Sequence, residues 1–462
     1  MLFNSFIFLY AFLPVTYGVF WLLKTKGQRY LWLTVASYVF YGYWNWKFCF
    51  WMAFSTTVSY FAGLGLLKWK DSSRRRLCLV IPIAVDLLVL GFFKYTNFLL
   101  RTGEWLLNRL GHPFHGPVLD IILPIGISFY TFHTISYIVD SYRRTITPTE
   151  NFWEFACYVS LFSQLVAGPI VRFRQVEHDL DHIGQASRGA FLDRAWSFFT
   201  IGLVKKVLLA DTLAALIDPG FQHATQLSTT GAWLCVLGYT YQLYFDFSGY
   251  SDMAVGLGYL FGIRLPQNFN SPYKADGLGD FWRRWHMSLS SCLRDYLYIP
   301  LGGNRGPHWK VARNLMITML LGGLWHGANW TFVAWGAYHG ALLILLRFGH
   351  TVWDLVPQVL RHLGTFLLVV IGWVFFRSPT FSIAASLLHK MFSLQPGITV
   401  IGASTLVGVV LVAAVVAHGT PNTFELSHEW QPRLVPVLAL GFVACLWVMY
   451  GAQPSPFLYF QF

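Results

Sequence analysis

Apolar runs of about 20 residues, the length of helix that crosses a bilayer core, recur along the chain and are separated by short stretches rich in Lys and Arg. Met1 to Leu23 carries no charge, and Lys24, Lys26 and Arg29 follow it directly. Two more apolar runs, Tyr30 to Trp46 and Phe48 to Leu67, lead to a second basic loop with Lys68, Lys70, Arg74, Arg75 and Arg76. Basic loops stay on the cytoplasmic side, so the alternation predicts an N-terminus outside and both loops inside. A cleavable signal peptide would need a basic stretch ahead of its apolar core; the first run lacks one and is expected to remain as a span.

The pattern continues with Leu77 to Phe93, interrupted by Asp86, and a mixed stretch, Arg101 to Pro117, expected along the outer interface. Ile121 to Val139 ends at Asp140, Arg143 and Arg144, whereas Phe155 to Val171 contains Gly168-Pro169, a helix-breaking pair that predicts a re-entrant segment. Ala195 to Leu216 carries Lys205 and Lys206, and Leu227 to Phe245 is a further apolar run. Arg264 to Arg313 is too polar to cross and too aromatic for a linker, while Asn314 to Leu346 holds no Asp, Glu, Lys or Arg. The whole predicts an all-α polytopic integral membrane protein of roughly ten to twelve helices, some re-entrant or interfacial. No polar linker divides it, so residues 1–462 are expected to form one domain with a core at about 121–346.

Composition removes other classes. Hydrophobic residues make up 55% and charged ones 12%, against about 25% charged in soluble domains, which argues against a soluble enzyme. The formal charge of +12 would suggest nucleic acid on a soluble protein, but the basic residues sit between apolar runs, where they face anionic lipid. Lipid is therefore the expected partner and nucleic acid is not. Six cysteines are scattered without a CxxC pair, so neither a disulfide framework nor a metal site is expected.

Two segments carry candidate chemistry. In Gly322-Gly323-Leu324-Trp325-His326-Gly327-Ala328-Asn329-Trp330 an imidazole sits in the uncharged run, where an ionisable ring has either a function or a local partner. The glycines beside it allow close approach of a ligand. His339, further along the same run, is expected to be structural, since on an unbroken helix it would lie about 20 Å from His326. The second segment, Phe281-Trp282-Arg283-Arg284-Trp285-His286, continues to Arg294; its arginines either anchor topology or bind a phosphorylated donor. His286 is a possible proton partner of His326 if the fold closes the gap. Asp246 and Asp252 are expected to cap a broken helix. No Walker loop, GxSxG elbow or HExxH occurs.

Those segments, FWRRWHMSLSSCLRDYLY at 281–298 and LGGLWHGANWTFVAWGAYHG at 321–340, resemble the membrane-bound O-acyltransferase family, and more narrowly its alginate O-acetyltransferase branch. LPIGISFYTFHTISYIVD at 123–140, AGPIVRFR at 167–174, QLYFDFSGYSDMAVGLG at 242–258, LGGNR at 301–305 and the terminal FLYFQF extend the resemblance. It implies helices around a central tunnel, His326 as catalytic base, His286 as the second active-site histidine, and acetyl-CoA as donor without a metal. Arg283, Arg284, Arg294, Trp325 and Asn329 are the expected donor-contacting residues, with Asn329 or the Gly327 amide as a possible oxyanion dipole. The implied setting is the bacterial inner membrane. There, acetyl would pass to an exported polysaccharide through a periplasmic partner of the SGNH hydrolase-like type. Other acceptors within the family, cellulose or peptidoglycan, or another acyl group such as D-alanine, are not separated by the residues. A transporter served by Asp86, Asp246 and Asp252 would show inverted repeats, and the sequence has no internal symmetry.

Overall fold

The computed structural model describes residues 1–112, 114–117, 119–166, 168–185, 187, 189–400, 402–451 and 457–458. Ala167 and residues 459–462, parts of two segments quoted above, lie outside them. The regular structure of the described residues is helical, with a lone bridge between Leu227 and Ile398 in place of any strand. They form twenty α-helical segments, of which eleven have 13 residues or more, in keeping with the ten to twelve read from apolar runs. The chain falls into two compact units, residues 1–190 with 258–265, and residues 191–257 with 266–462.

The first unit contains α1 (Leu13–Leu22), α2 (Lys26–Asn45), α3 (Cys49–Lys68), α4 (Ser72–Arg109), α5 (Ile127–Tyr142), α6 (Phe152–Ser160), α7 (Phe162–Leu165) and α8 (Phe173–Asp181). The basic loops supply the caps. Thr25 and Gln28 form a capping box at α2, and Asp71 accepts the amides of Ser73 and Arg74 at α4. Helix α4 has 38 residues, about 57 Å at 1.5 Å per residue. The stretch from Arg101 to Arg109, expected along an interface, is its last part. Asp86 on α4 accepts Ser55 Oγ of α3 at 2.5 Å and Thr134 Oγ1 of α5 at 2.6 Å, so this buried carboxyl joins three helices. The apolar run around Gly168-Pro169 is broken as expected. Its longest helix, α6, has 9 residues, too short to cross a bilayer core.

The second unit begins with α9 (Leu192–Val204), a π-helical turn at Lys205–Ala210, and α10 (Asp211–Gln222). Helix α11 (Thr229–Leu260) follows, its last turn belonging to the first unit. Then come α12 (Leu278–Arg284), α13 (Met287–Leu293), α14 (His308–His326), α15 (Trp330–Phe348), α16 (His350–Asp354), α17 (Gln358–Arg377), α18 (Phe381–Phe392), α19 (Ala403–Gly419) and α20 (Leu434–Gly451). Among the described residues, five helical stretches are long and apolar enough to cross a membrane by length and composition: Lys26–Lys68, α4, α15, α17 and α20. Val437, Leu440, Val443 and Trp447 of α20 are exposed, an apolar face suited to lipid. Small residues let other helices touch at the backbone: a Cβ on Gly202 of α9 would meet the carbonyl of Gly249 on α11.

The expectation that Asp246 and Asp252 cap a broken helix is corrected. Both lie inside the continuous α11 and pair with the lysines of the π-helical turn. Lys206 Nζ is 2.5 Å from Asp246 Oδ1 and 2.7 Å from Asp211 Oδ1, and Lys205 Nζ is 2.6 Å from Asp252 Oδ2. Thr423 Oγ1 donates to the same Asp252 oxygen at 2.6 Å. Burial requires such pairing, since an isolated ion away from water is costly.

Candidate active site

His286 stands between α12 and α13 with φ 44° and ψ 54°, a left-handed conformation that costs a non-glycine residue about 1–3 kcal/mol. Its side chain does not cap α13. Asn268, from the preceding loop, takes that role: its carbonyl accepts Met287 N–H at 2.9 Å and its Oδ1 accepts Ser288 N–H at 3.2 Å. The ring, fully buried, is thereby left for other contacts. Phe247 meets it edge to face at 4.6 Å and Trp325 at 6.0 Å. Nδ1 lies 3.1 Å from Asn268 Oδ1, and Nε2 has no hydrogen-bond partner among the described residues. Burial holds this imidazole down to about 3, so it is neutral at physiological pH.

His326 is the last residue of α14. The helix stops at Gly327, whose backbone is extended, and α15 starts at once because Asn329 Oδ1 accepts Thr331 N–H at 3.2 Å. The two helices pack closely where a Cβ on Gly323 would strike the Phe332 carbonyl and one on Gly336 the Met319 carbonyl. Trp325 joins the two histidines: its ring centroid is 6.0 Å from His286 and 5.0 Å from His326. Their separation is therefore no greater than the sum of those distances, and the gap in sequence is closed by the fold.

The helix break also revises the expected distance of His339. Both histidines touch Trp335, each at 5.0 Å between ring centroids. His339 is fully buried in an aromatic box, and neither of its nitrogens has a hydrogen-bond partner among the described residues.

An apolar slot of about 160 Å³ is lined by His326 together with Trp282, Leu293, Thr318, Gly322 and Trp335. Beside it lies a polar basin of about 510 Å³ with Asp276, Asp280, Arg283, Arg347 and Arg361. Tyr298, Leu315 and Leu343 belong to both walls. Arg294 lines the slot and Arg283 the basin. All three arginines singled out in the sequence are engaged by carboxylates: Arg283 with Asp280 at 3.4 Å, Arg284 with Asp280 at 2.7 Å, and Arg294 with Asp295 at 2.7 Å. Arg347, by contrast, makes no ion pair among the described residues.

Trp325 contacts both histidines but does not line the slot, and neither does Asn329, whose Nδ2 donates to the Pro379 carbonyl at 2.9 Å. The Gly327 amide faces the Gly323 carbonyl at 3.4 Å. Of the glycines near His326, only Gly322 lines the slot; Gly323 and Gly327 make room for Phe332 instead. Asn268, Arg347 and Trp335 escaped the sequence reading. Only the orphaned cap at His286, a residue type that caps poorly, could have pointed to a distant Asn.

A polytopic helical protein with two buried histidines, one of them lining an apolar slot, has the makings of a membrane enzyme. Over residues 115–377 the sequence matches MBOAT, the membrane-bound O-acyltransferase family. It is 47% identical over 404 residues to the probable alginate O-acetylase AlgI of Pseudomonas aeruginosa, covering 85% of this chain and 75% of that one. It is 41% identical over 514 aligned positions to the probable alginate O-acetylase AlgI of Azotobacter vinelandii, covering 100% of each. Identity to the peptidoglycan O-acetyltransferase of Helicobacter pylori is 38% over 434 residues, 86% of this chain and 80% of that one. The chain belongs to the membrane-bound O-acyltransferase family and is a multi-pass membrane O-acyltransferase.

Proposed function

We propose that this protein moves acetyl from cytoplasmic acetyl-CoA across the bacterial inner membrane for O-acetylation of an exported polysaccharide, alginate in the first instance, through a periplasmic SGNH hydrolase-like partner. The observation that carries the reading is the apolar slot lined by His326 beside a basin of charged side chains. The slot suits the short acyl end of a donor and the basin its phosphorylated end, the two together forming the entrance of a tunnel. The similarity to alginate O-acetylases supports the acceptor. Peptidoglycan is the second reading, on the similarity to the Helicobacter pylori enzyme. Residues 1–462 act as one functional domain with its core at about 121–346.

In the proposed step an acceptor hydroxyl attacks the thioester carbon. The C–O bond forms as the C–S bond breaks, and His326 takes the hydroxyl proton and returns it to the departing thiolate, so that the products are an ester and a free thiol. His286, neutral and one indole away, orients the acceptor or relays the proton. Acetyl content of the polymer exported by cells with and without the gene tests the function. Unchanged alginate and altered peptidoglycan would transfer the assignment to the second reading.

Donor binding gives a separate prediction. Coenzyme A should bind the purified protein, and Arg347→Ala should weaken binding by about tenfold, because this cation has no carboxylate to leave first. Arg283, Arg284 and Arg294 contribute less, since each must first part from an Asp. Binding unchanged when all four are replaced by Ala would make them topology anchors only. For orientation, a cysteine placed at Ser72, at the start of α4, should resist impermeant thiol reagents applied from the periplasm. Labelling from that side would invert the proposed topology, which has the N-terminus periplasmic.

A further inference from the structure

We propose that Asn268 is a positioning residue that fixes the tautomer of His286, keeping the proton on Nδ1 and leaving the Nε2 lone pair for the reaction; the inference rests on the reading of His286 as an active-site residue. The Ser288 backbone N–H, which can only donate, points at the Asn268 side chain at 3.2 Å. The atom it meets must therefore be the carbonyl oxygen, since a flipped amide would set two donors against each other. The same oxygen is 2.9 Å from Ser288 Oγ and 3.1 Å from His286 Nδ1. An unprotonated Nδ1 would face it lone pair to lone pair, so the stable arrangement has Nδ1–H donating to Oδ1.

Ser288 Oγ is also 3.4 Å from Nδ1, but the shorter path for its proton is to Asn268. With Nδ1 protonated in a neutral ring, Nε2 is the acceptor. It is buried without a hydrogen-bond partner among the described residues. A buried acceptor left unmatched costs stability, and the left-handed backbone at His286 adds to that cost. Both are the kind of expense that persists where a ligand or a proton is to be received. The side chains that touch the ring, Phe247 of α11, Phe269 and Asn268 of the loop, Ser288 of α13 and Trp325 of α14, carry no charge. Trp325 is also in contact with His326, the titratable group next to it on α14.

The test uses the full chain in membrane vesicles with acetyl-CoA and the exported polymer, together with nitrogen-15 solid-state spectra of histidine-labelled protein, His286 being assigned by its loss in His286→Gln. In the wild type, Nδ1 of His286 should give the pyrrole-type signal and Nε2 the pyridine-type signal. Asn268→Ala should mix the tautomers and lower kcat by about tenfold, the value of one placed hydrogen bond, with KM for acetyl-CoA unchanged. Asn268→Asp keeps an acceptor for all three donors and so guards against misfolding. Its negative charge should raise the pKa of His286, so that the pyridine-type Nε2 signal is lost at a higher pH than in the wild type. A protonated Nε2 in the wild type, wild-type kcat in Asn268→Ala, or an unmoved Nε2 titration in Asn268→Asp would overturn the proposal. If the wild type transfers no acetyl, it is the functional reading that fails, while the spectra still decide the tautomer.

Discussion

His326→Ala should insert and fold, yet transfer acetyl at least ~10²-fold more slowly, the contribution of a positioned general base. Among the described residues the side chain is the only imidazole lining the slot, and it sits at a helix end where the backbone has just turned away. Its ring is held by Trp325, Trp335 and Phe376, at 5.0, 5.0 and 5.2 Å between centroids. Alanine removes the base without touching the Gly323 and Gly336 contacts that join α14 to α15, which is why the fold should survive. His286→Ala should be impaired less completely, since water can replace a relay in part. Polymer acetylation in cells carrying each variant at matched membrane levels is the measurement; wild-type acetylation with His326→Ala would sink the role assigned to this residue.

Lys206→Met should be the most destabilising single change in the second unit's charged network. Lys206 is 1% exposed and bonded to both Asp211 and Asp246, so its removal leaves the buried Asp246 and the half-buried Asp211 without the cation they share. Breaking a buried pair in this way costs about 3–5 kcal/mol, whereas the partly exposed Arg283–Asp280 pair should matter little. Asp246 Oδ2 also accepts the Leu458 amide at 2.9 Å, so the same change should loosen residues 457–458. Thermal unfolding in detergent would show a lowered midpoint for Lys206→Met. Adding Asp211→Asn and Asp246→Asn should restore much of it, because neutral residues of similar volume remove the desolvation penalty. An unchanged midpoint in the single variant would mean that water reaches the network.

Much of the first unit was legible because its determinants are local. The capping pair Thr25 and Gln28 and the cap Asp71 lie in the basic stretches that ended the apolar runs, so α2 and α4 begin at Lys26 and Ser72, ahead of the apolar runs at Tyr30 and Leu77, and take the basic residues into their first turns. The site was legible in part. His286 and His326 were marked by being ionisable among apolar neighbours, and the resemblance gave them roles. The arginines are visible as charges. Asp280 is four residues before Arg284 and Asp295 is next to Arg294, so their neutralisation is local in the sequence too.

What the sequence determined by itself is the all-α class, the succession of spans and basic loops, and the positions of two candidate histidines, because hydrophobic length and charge act within a few residues of one another. Tertiary structure alone decided which distant groups meet. It brought Lys206 to Asp246, turned α14 back on α15 so that His326 and His339 share Trp335, and set Asn268 against His286. The physical reason is that a buried polar group must find a partner somewhere, and periodicity says that it needs one without saying where on the chain that partner lies.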